Sequence, residues 1–169
     1  MSRLLLFTFF CLLNTINSPH LQAQSTPKLA TPMTSSMTTL SIRLRPGQDL
    51  KTELDKLVAQ HRIEAGLVLT CVGSLTDVSL RLANQEGATA YHGHFEIVSL
   101  VGTLSTNGSH LHLAVSDSTG RTTGGHLMAG NIIYTTAEIV LGILPGVRYV
   151  REPDPTFGYR ELVVKKKSK

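Results

Sequence analysis

Beyond residue 66 the sequence is a succession of strand-length apolar runs cut by turn residues, and only one segment ahead of them carries a helical repeat. Leu40 to Leu44 opens the pattern as a strand, with Leu40, Ile42 and Leu44 on one face. Pro46-Gly47 breaks it. Asp49 is placed to cap a helix in which Leu50, Leu54, Leu57 and Val58 recur at helical spacing, and Gly66 ends that region. Leu67 to Val72 is a continuous apolar run, as expected of a strand covered on both faces. Val78, Leu80 and Leu82 alternate with polar residues before the turn Asn84 to Gly87. Phe95 to Leu104 is a long apolar-rich segment that Asn107-Gly108 ends. Leu111, Leu113 and Val115 share one face of the next strand. Ile132 to Ile143 and a short run from Tyr159 to Val164 complete the series. One main N-terminal helix with six or more strands predicts an α+β domain, largely antiparallel.

Length and composition fit a single packed domain. The chain has 169 residues, 41% hydrophobic and 17% charged, which excludes a disordered chain. No stretch after the N-terminus reaches the roughly eighteen apolar residues of a spanning helix. The net charge of +4 sits at the end: Lys165, Lys166, Lys167 and Lys169 supply four charges. Residues 39–164 hold 10 Lys/Arg against 12 Asp/Glu. Any DNA binding is therefore expected to be weak and to come from the basic tail, 165–169.

Residues 1–23 have the parts of a secretory signal: Arg3, the apolar run Leu4 to Leu13 and an exit at Ala23. Residues 24–38, rich in Ser, Thr and Pro, read as a linker. That arrangement predicts a secreted or periplasmic protein. Translation from Met33 or Met37 is the alternative and leaves the domain in the cytoplasm.

Five of the 7 histidines are His92, His94, His110, His112 and His126. His110-Leu111-His112 lies in a strand, where alternate residues leave the same face. His126 follows two glycines that let the backbone bend and pass close to a neighbour. A His-x-His pair with one distant His is the composition of an open three-ligand site for a divalent metal, with zinc expected, that leaves a fourth position for water or substrate. His92-Gly93-His94 is a secondary candidate, because the glycine can break the alternation. Cys71 in an apolar strand reads as a core thiol. Glu96 and Glu138 stand in apolar strands, where a carboxylate needs a partner or a task. Neither a phosphate-binding loop nor a Gly-x-Ser-x-Gly elbow is present.

Gly108-Ser109-His110-Leu111-His112-Leu113-Ala114-Val115-Ser116-Asp117, Gly120-Arg121 and Gly124-Gly125-His126-Leu127 together resemble the signature of the PPC domain, named for plants and prokaryotes. Arg45 to Leu50, Val72-Gly73-Ser74-Leu75, Gly93 to Gly102 and Phe157-Gly158-Tyr159 extend the resemblance over residues 39–164. It implies an α/β sandwich-like domain that assembles as a homotrimer and, in some prokaryotic members, carries a metal at the histidines. By that resemblance His110, His112 and His126 are the ligands, and Phe95, Glu96 and Ile97 match the part that contacts partners in plant members. A DNA-binding, regulatory role is the family's attribution. The Arg-Gly-Arg-Pro AT-hook that enters the minor groove in plant members is missing here.

Two functions follow as expectations. The first is a trimeric metal-binding domain that takes a small ligand or partner protein. The second is a small metal-dependent hydrolase in which the histidine site activates water and Glu96 or Asp117 moves the proton.

Overall fold

The computed structural model describes residues 31–156 and 158–167. The signal-like segment 1–23, residues 24–30 of the linker, Phe157, Ser168 and Lys169 lie outside the described residues. The chain order is β1 (Thr38–Leu44), α1 (Leu50–Gln60), β2 (Gly66–Arg81), β3 (Thr89–Leu104), β4 (His110–Asp117), β5 (Thr122–Leu127), β6 (Ile132–Ile143), β7 (Val147–Pro153) and β8 (Arg160–Lys166).

This architecture overturns the α+β, sandwich-like expectation with a main helix. The domain is predominantly antiparallel β, and its helix α1 is only 11 residues long. The difference has a physical source. Leu67 to Val72 and Val78 to Leu82 read as separate elements, yet they are parts of one 16-residue strand, β2. Pairing shifts register between Gly73 and Leu75, and again between Leu75 and Asp77, without ending the strand. Such bulges bend and twist a strand while its pairing continues. Strands β5 and β7 were also hidden, since Thr122-Thr123-Gly124-Gly125 has almost no apolar alternation to reveal it.

Six strands form one sheet in the order β1-β6-β2-β3-β4-β5, and β7 and β8 form a separate hairpin. At the end of β2, Leu80 pairs with Leu127 and Arg81 with His126 of β5. The strands β2 to β5 thereby close on themselves. Leu75, Val78, Leu80, Leu100, Leu113 and Val115 fill the interior of this closure, each at most 3% exposed. Burial of one such side chain contributes roughly 1.5–3 kcal/mol relative to exposure.

Helix α1 adds Leu50, Leu54 and Val58 to the same core. Its expected cap holds: Asp49 Oδ1 accepts from the Thr52 amide at 2.7 Å. Asp49 Oδ2 accepts from the Asn131 amide at 2.8 Å and also from the Gly130 amide. One carboxylate thus starts the helix and ties it to the entrance of β6. Burial pushes the Asp49 carboxyl up, but the hydrogen bonds from Thr52, Gly130 and Asn131 outweigh it and hold the group below its ordinary value. Cys71 is the buried thiol expected, and burial pushes its pKa up to about 12.

The described lysines of the C-terminal run are not all free charges. Lys165 and Lys166 belong to β8, Lys165 pairs with Glu152, and Lys167 reaches Glu64 at 2.7 Å. Among the described residues, no helix is long and apolar enough to cross a membrane.

Candidate metal centre

The site is built on β4 and β5. Leu111, Leu113 and Val115 turn inward to the core, which sends His110 and His112 out through the opposite face. His126 stands directly across from His112 in the β4–β5 register. Strand β5 must fit between β4 and the end of β2. Gly125 makes that possible, because a Cβ there would lie 2.7 Å from the Arg81 carbonyl oxygen. On the other side, Gly102 of β3 lies so close to β4 that a Cβ would meet the His110 carbonyl oxygen at 2.0 Å. Two glycines therefore let four strands, β2 to β5, crowd around the imidazoles.

The rings converge. His110 Nε2 lies 3.1 Å from His126 Nδ1 and 3.2 Å from His112 Nε2. One ligand atom from each of the three residues falls within 4.8 Å of the others. An imidazole nitrogen carries either a proton or one in-plane lone pair, so His110 Nε2 cannot serve two neighbours well. A cation would take all three lone pairs at once. With zinc–nitrogen bonds of about 2.0–2.1 Å, the edges of a tetrahedron are about 3.4 Å, close to the two short separations found here. The donor set therefore fits a three-coordinate centre with an open position.

His110 and His126 are half-buried and His112 is exposed. Burial lowers the His110 pKa, and the positive charge of Arg151 adds to the effect. Burial also lowers the His126 pKa, followed by the charge of Arg81. Both changes favour the neutral imidazole that a metal requires. Beside the cluster opens a cleft of about 900 Å³, with His110 and His126 in its wall. Its charged lining consists of Lys51, Arg81, Arg151 and Arg160 against Glu86 and Glu161.

The other sequence candidates lie elsewhere. His92 Nδ1 contacts Asp77 Oδ1 at 2.7 Å, whereas the His94 ring packs tilted against Tyr134, with centroids 4.4 Å apart. His94 is nine residues along β3 from Thr103, the partner of His110, or about 30 Å of strand. Asp117 is five residues from His112 along β4, about 17 Å. Its Oδ1 accepts from the amides of Thr119 and Arg121, which fixes the β4–β5 turn. Glu96 pairs across from Ser116 near that same end. Neither carboxylate reaches the imidazoles. Of the partner-contact candidates, Glu96 is exposed, Phe95 is half-buried and Ile97 is buried in this chain. Glu138 is exposed and stands opposite Arg43.

Sequence reasoning missed Arg81, Arg151, Arg160 and Glu161. The signal for Arg81 was its place at the end of an alternating strand. The other three come from a β7–β8 hairpin whose first strand was not anticipated.

Fold and site together define a small antiparallel β-domain, closed on itself, with a three-imidazole centre on its outer face. Residues 32–145 match the Plants and Prokaryotes Conserved (PCC) domain, and the chain belongs to that family, the one its motifs resemble. It is 50% identical over 139 residues to the bifunctional protein GlmU of Synechococcus sp. (strain JA-2-3B'a(2-13)), covering 82% of this chain and 22% of that protein. The chain thus spans about a fifth of the length of the curated relatives it matches. Among solved structures, a hypothetical protein from Salmonella cholerae-suis is similar at a TM-score of 0.79 and 43% identity, covering 80% of this chain and 99% of that one. A metal-containing protein from Archaeoglobus fulgidus shares the fold at a TM-score of 0.67 and 20% identity, covering 79% and 99%.

Proposed function

We propose that this chain is a metal-holding PCC domain in which His110, His112 and His126 bind a divalent cation, zinc by preference, and present its open position to a small ligand. The observation that carries the reading is the convergence of three imidazole nitrogens, with separations of 3.1 and 3.2 Å about His110. The archaeal neighbour described as metal-containing supports it at the level of the fold. When bound, the cation supplies Lewis acidity at the fourth position. The protein's own part is to hold the imidazoles neutral and oriented. The distant placement of Glu96 and Asp117 favours binding over the hydrolytic alternative. Elemental analysis of the native protein beside His112→Ala tests the reading, and equal metal content in the two would overturn it.

We further propose that the domain works as a homotrimer. Val72, Val98, Val101 and Tyr134 are each between 45% and 56% exposed, and Leu69 is 43% exposed. Leu69 and Val72 of β2 and Val98 and Val101 of β3 lie on neighbouring paired strands, between the partners Leu67–Thr103 and Ser74–Glu96. Adjacent exposed side chains of this kind form an apolar face, and such faces are commonly covered by another protein surface. Sedimentation equilibrium at micromolar concentration is expected to give a mass near three subunits; a monomer would refute it.

The domain is not expected to bind DNA through its body, whose charge over residues 39–164 is 10 Lys/Arg against 12 Asp/Glu. Binding to duplex DNA that survives at high salt would contradict this.

A further inference from the structure

We infer that the cleft beside the three histidines is a receptor for a small oxyanion, a phosphate or a carboxylate, gripped by Arg81 and Arg151 over the imidazoles. The inference deepens the metal reading, on which it rests for the placement of the anion at the open coordination position.

The arginines carry the argument. Buried or half-buried cations in folded proteins are ordinarily paired with carboxylates. Here half-buried Arg81 and Arg151 line one cleft with exposed Arg160, and none is in a salt bridge among the described residues, although five such pairs form elsewhere. Each guanidinium is nevertheless held in place. Arg81 Nη1 donates to the Gln85 carbonyl at 3.3 Å, and Arg151 Nη2 donates to Thr103 Oγ1 at 2.8 Å. Arg160 spends both Nε and Nη2 on the Arg151 carbonyl, at 3.0 and 2.6 Å. That leaves Arg81 and Arg151 with two donor nitrogens apiece that no described residue accepts.

Their positions agree with the role. Arg81 stands opposite His126 in the β2–β5 register, and Arg151 bonds to Thr103, the β3 partner of His110. The two guanidinium groups thus approach the cluster from its two sides. Planar donor forks match carboxylate and phosphate oxygens, and preplaced donors reduce the entropy lost on binding. The cleft has room for a compact anion and is open to solvent.

The test is calorimetric titration of the full chain, as purified and at low ionic strength, with inorganic phosphate in one arm and succinate in the other. Metal content is measured on every sample. At least one anion is expected to bind with a Kd of about 1 mM or tighter, and Arg81→Gln and Arg151→Gln are each expected to weaken it about tenfold with metal content unchanged. Binding in one arm alone assigns the phosphate or the carboxylate class. Metal-loaded protein that takes up neither anion overturns the inference and leaves the metal reading standing. So does binding that both variants retain in full. Arginine-dependent binding by protein that holds no metal sustains the receptor and removes the cation.

Discussion

Arg81 of β2 stands opposite His126 of β5, so the strand pair that closes the sheet also places a guanidinium beside an imidazole. Closure and site are therefore the same structural event. Any change that loosens the β2–β5 contact is expected to act on stability and on the histidine cluster together.

Gly125 is the direct probe of that coupling. A Cβ at this position meets the Arg81 carbonyl oxygen at 2.7 Å, so one strand must yield. Gly125→Ala is expected to destabilise the domain by about 1–3 kcal/mol and to lower its metal content. Gly87→Ala is the control, because a Cβ there has nothing within 4 Å. Urea unfolding and elemental analysis of both variants check the prediction, and parental behaviour of Gly125→Ala in both measurements would refute it.

Asp49 links stability to acid. Its carboxyl lies below its ordinary value of 3.8 in the folded chain, so the folded state favours the ionised form. The contribution is complete above the unfolded value and is lost as pH falls through the folded one. Asp49→Ala is expected to cost about 1–2 kcal/mol at neutral pH through loss of the helix cap. The difference from the parent should shrink below pH 3.8, as the parent loses the same interaction. A constant difference in urea midpoints from pH 7 to pH 3 would count against it.

Cys71 should be chemically silent while the fold persists. It is 6% exposed, and burial raises its pKa to about 12, so almost no thiolate exists at neutral pH. A disulfide-exchange reagent at pH 8 is expected to label it only after denaturant is added. Rapid labelling of Cys71 in the native chain, distinguished from Cys11 by peptide mapping, would show that β2 opens.

Much of this was legible in the residues. The His-x-His pair announced a shared face, since a strand's two-residue period admits only that, and Gly124-Gly125 announced a close backbone approach. The Asp49 cap was readable because a helix start has local chemistry. The sheet's closure was not readable. It depends on β5, which pairs through its backbone and has little apolar pattern, and on β2 persisting through Gly73 and its bulges. The cleft was hidden for a related reason. Arg81 and Arg151 are 70 residues apart in sequence, and only the closure and the added hairpin bring both to the histidines.

Asn131 had no sequence signal either, and it gives the strongest stability prediction. The residue is fully buried at the entrance of β6. Its Oδ1 accepts from the Ser79 amide at 3.0 Å, and its Nδ2 donates to the carbonyls of Ser79 at 3.0 Å and Met128 at 2.7 Å. The side chain thus completes the β2–β6 pairing where the backbone has turned away, while its own amide is held by Asp49. Asn131→Leu fills the volume but strands the Ser79 amide and the Met128 carbonyl away from water, while the Ser79 carbonyl keeps the Met128 amide at 3.2 Å. A loss of about 2–4 kcal/mol is expected in urea unfolding. Asn131→Asp separates hydrogen bonding from volume: it keeps the acceptor for Ser79 but turns a carboxylate toward two carbonyl oxygens. It is expected to be no more stable than the leucine variant at neutral pH and to recover partly as acid protonates it. If both variants unfold at the parental midpoint, Asn131 is not the tie between β2 and β6.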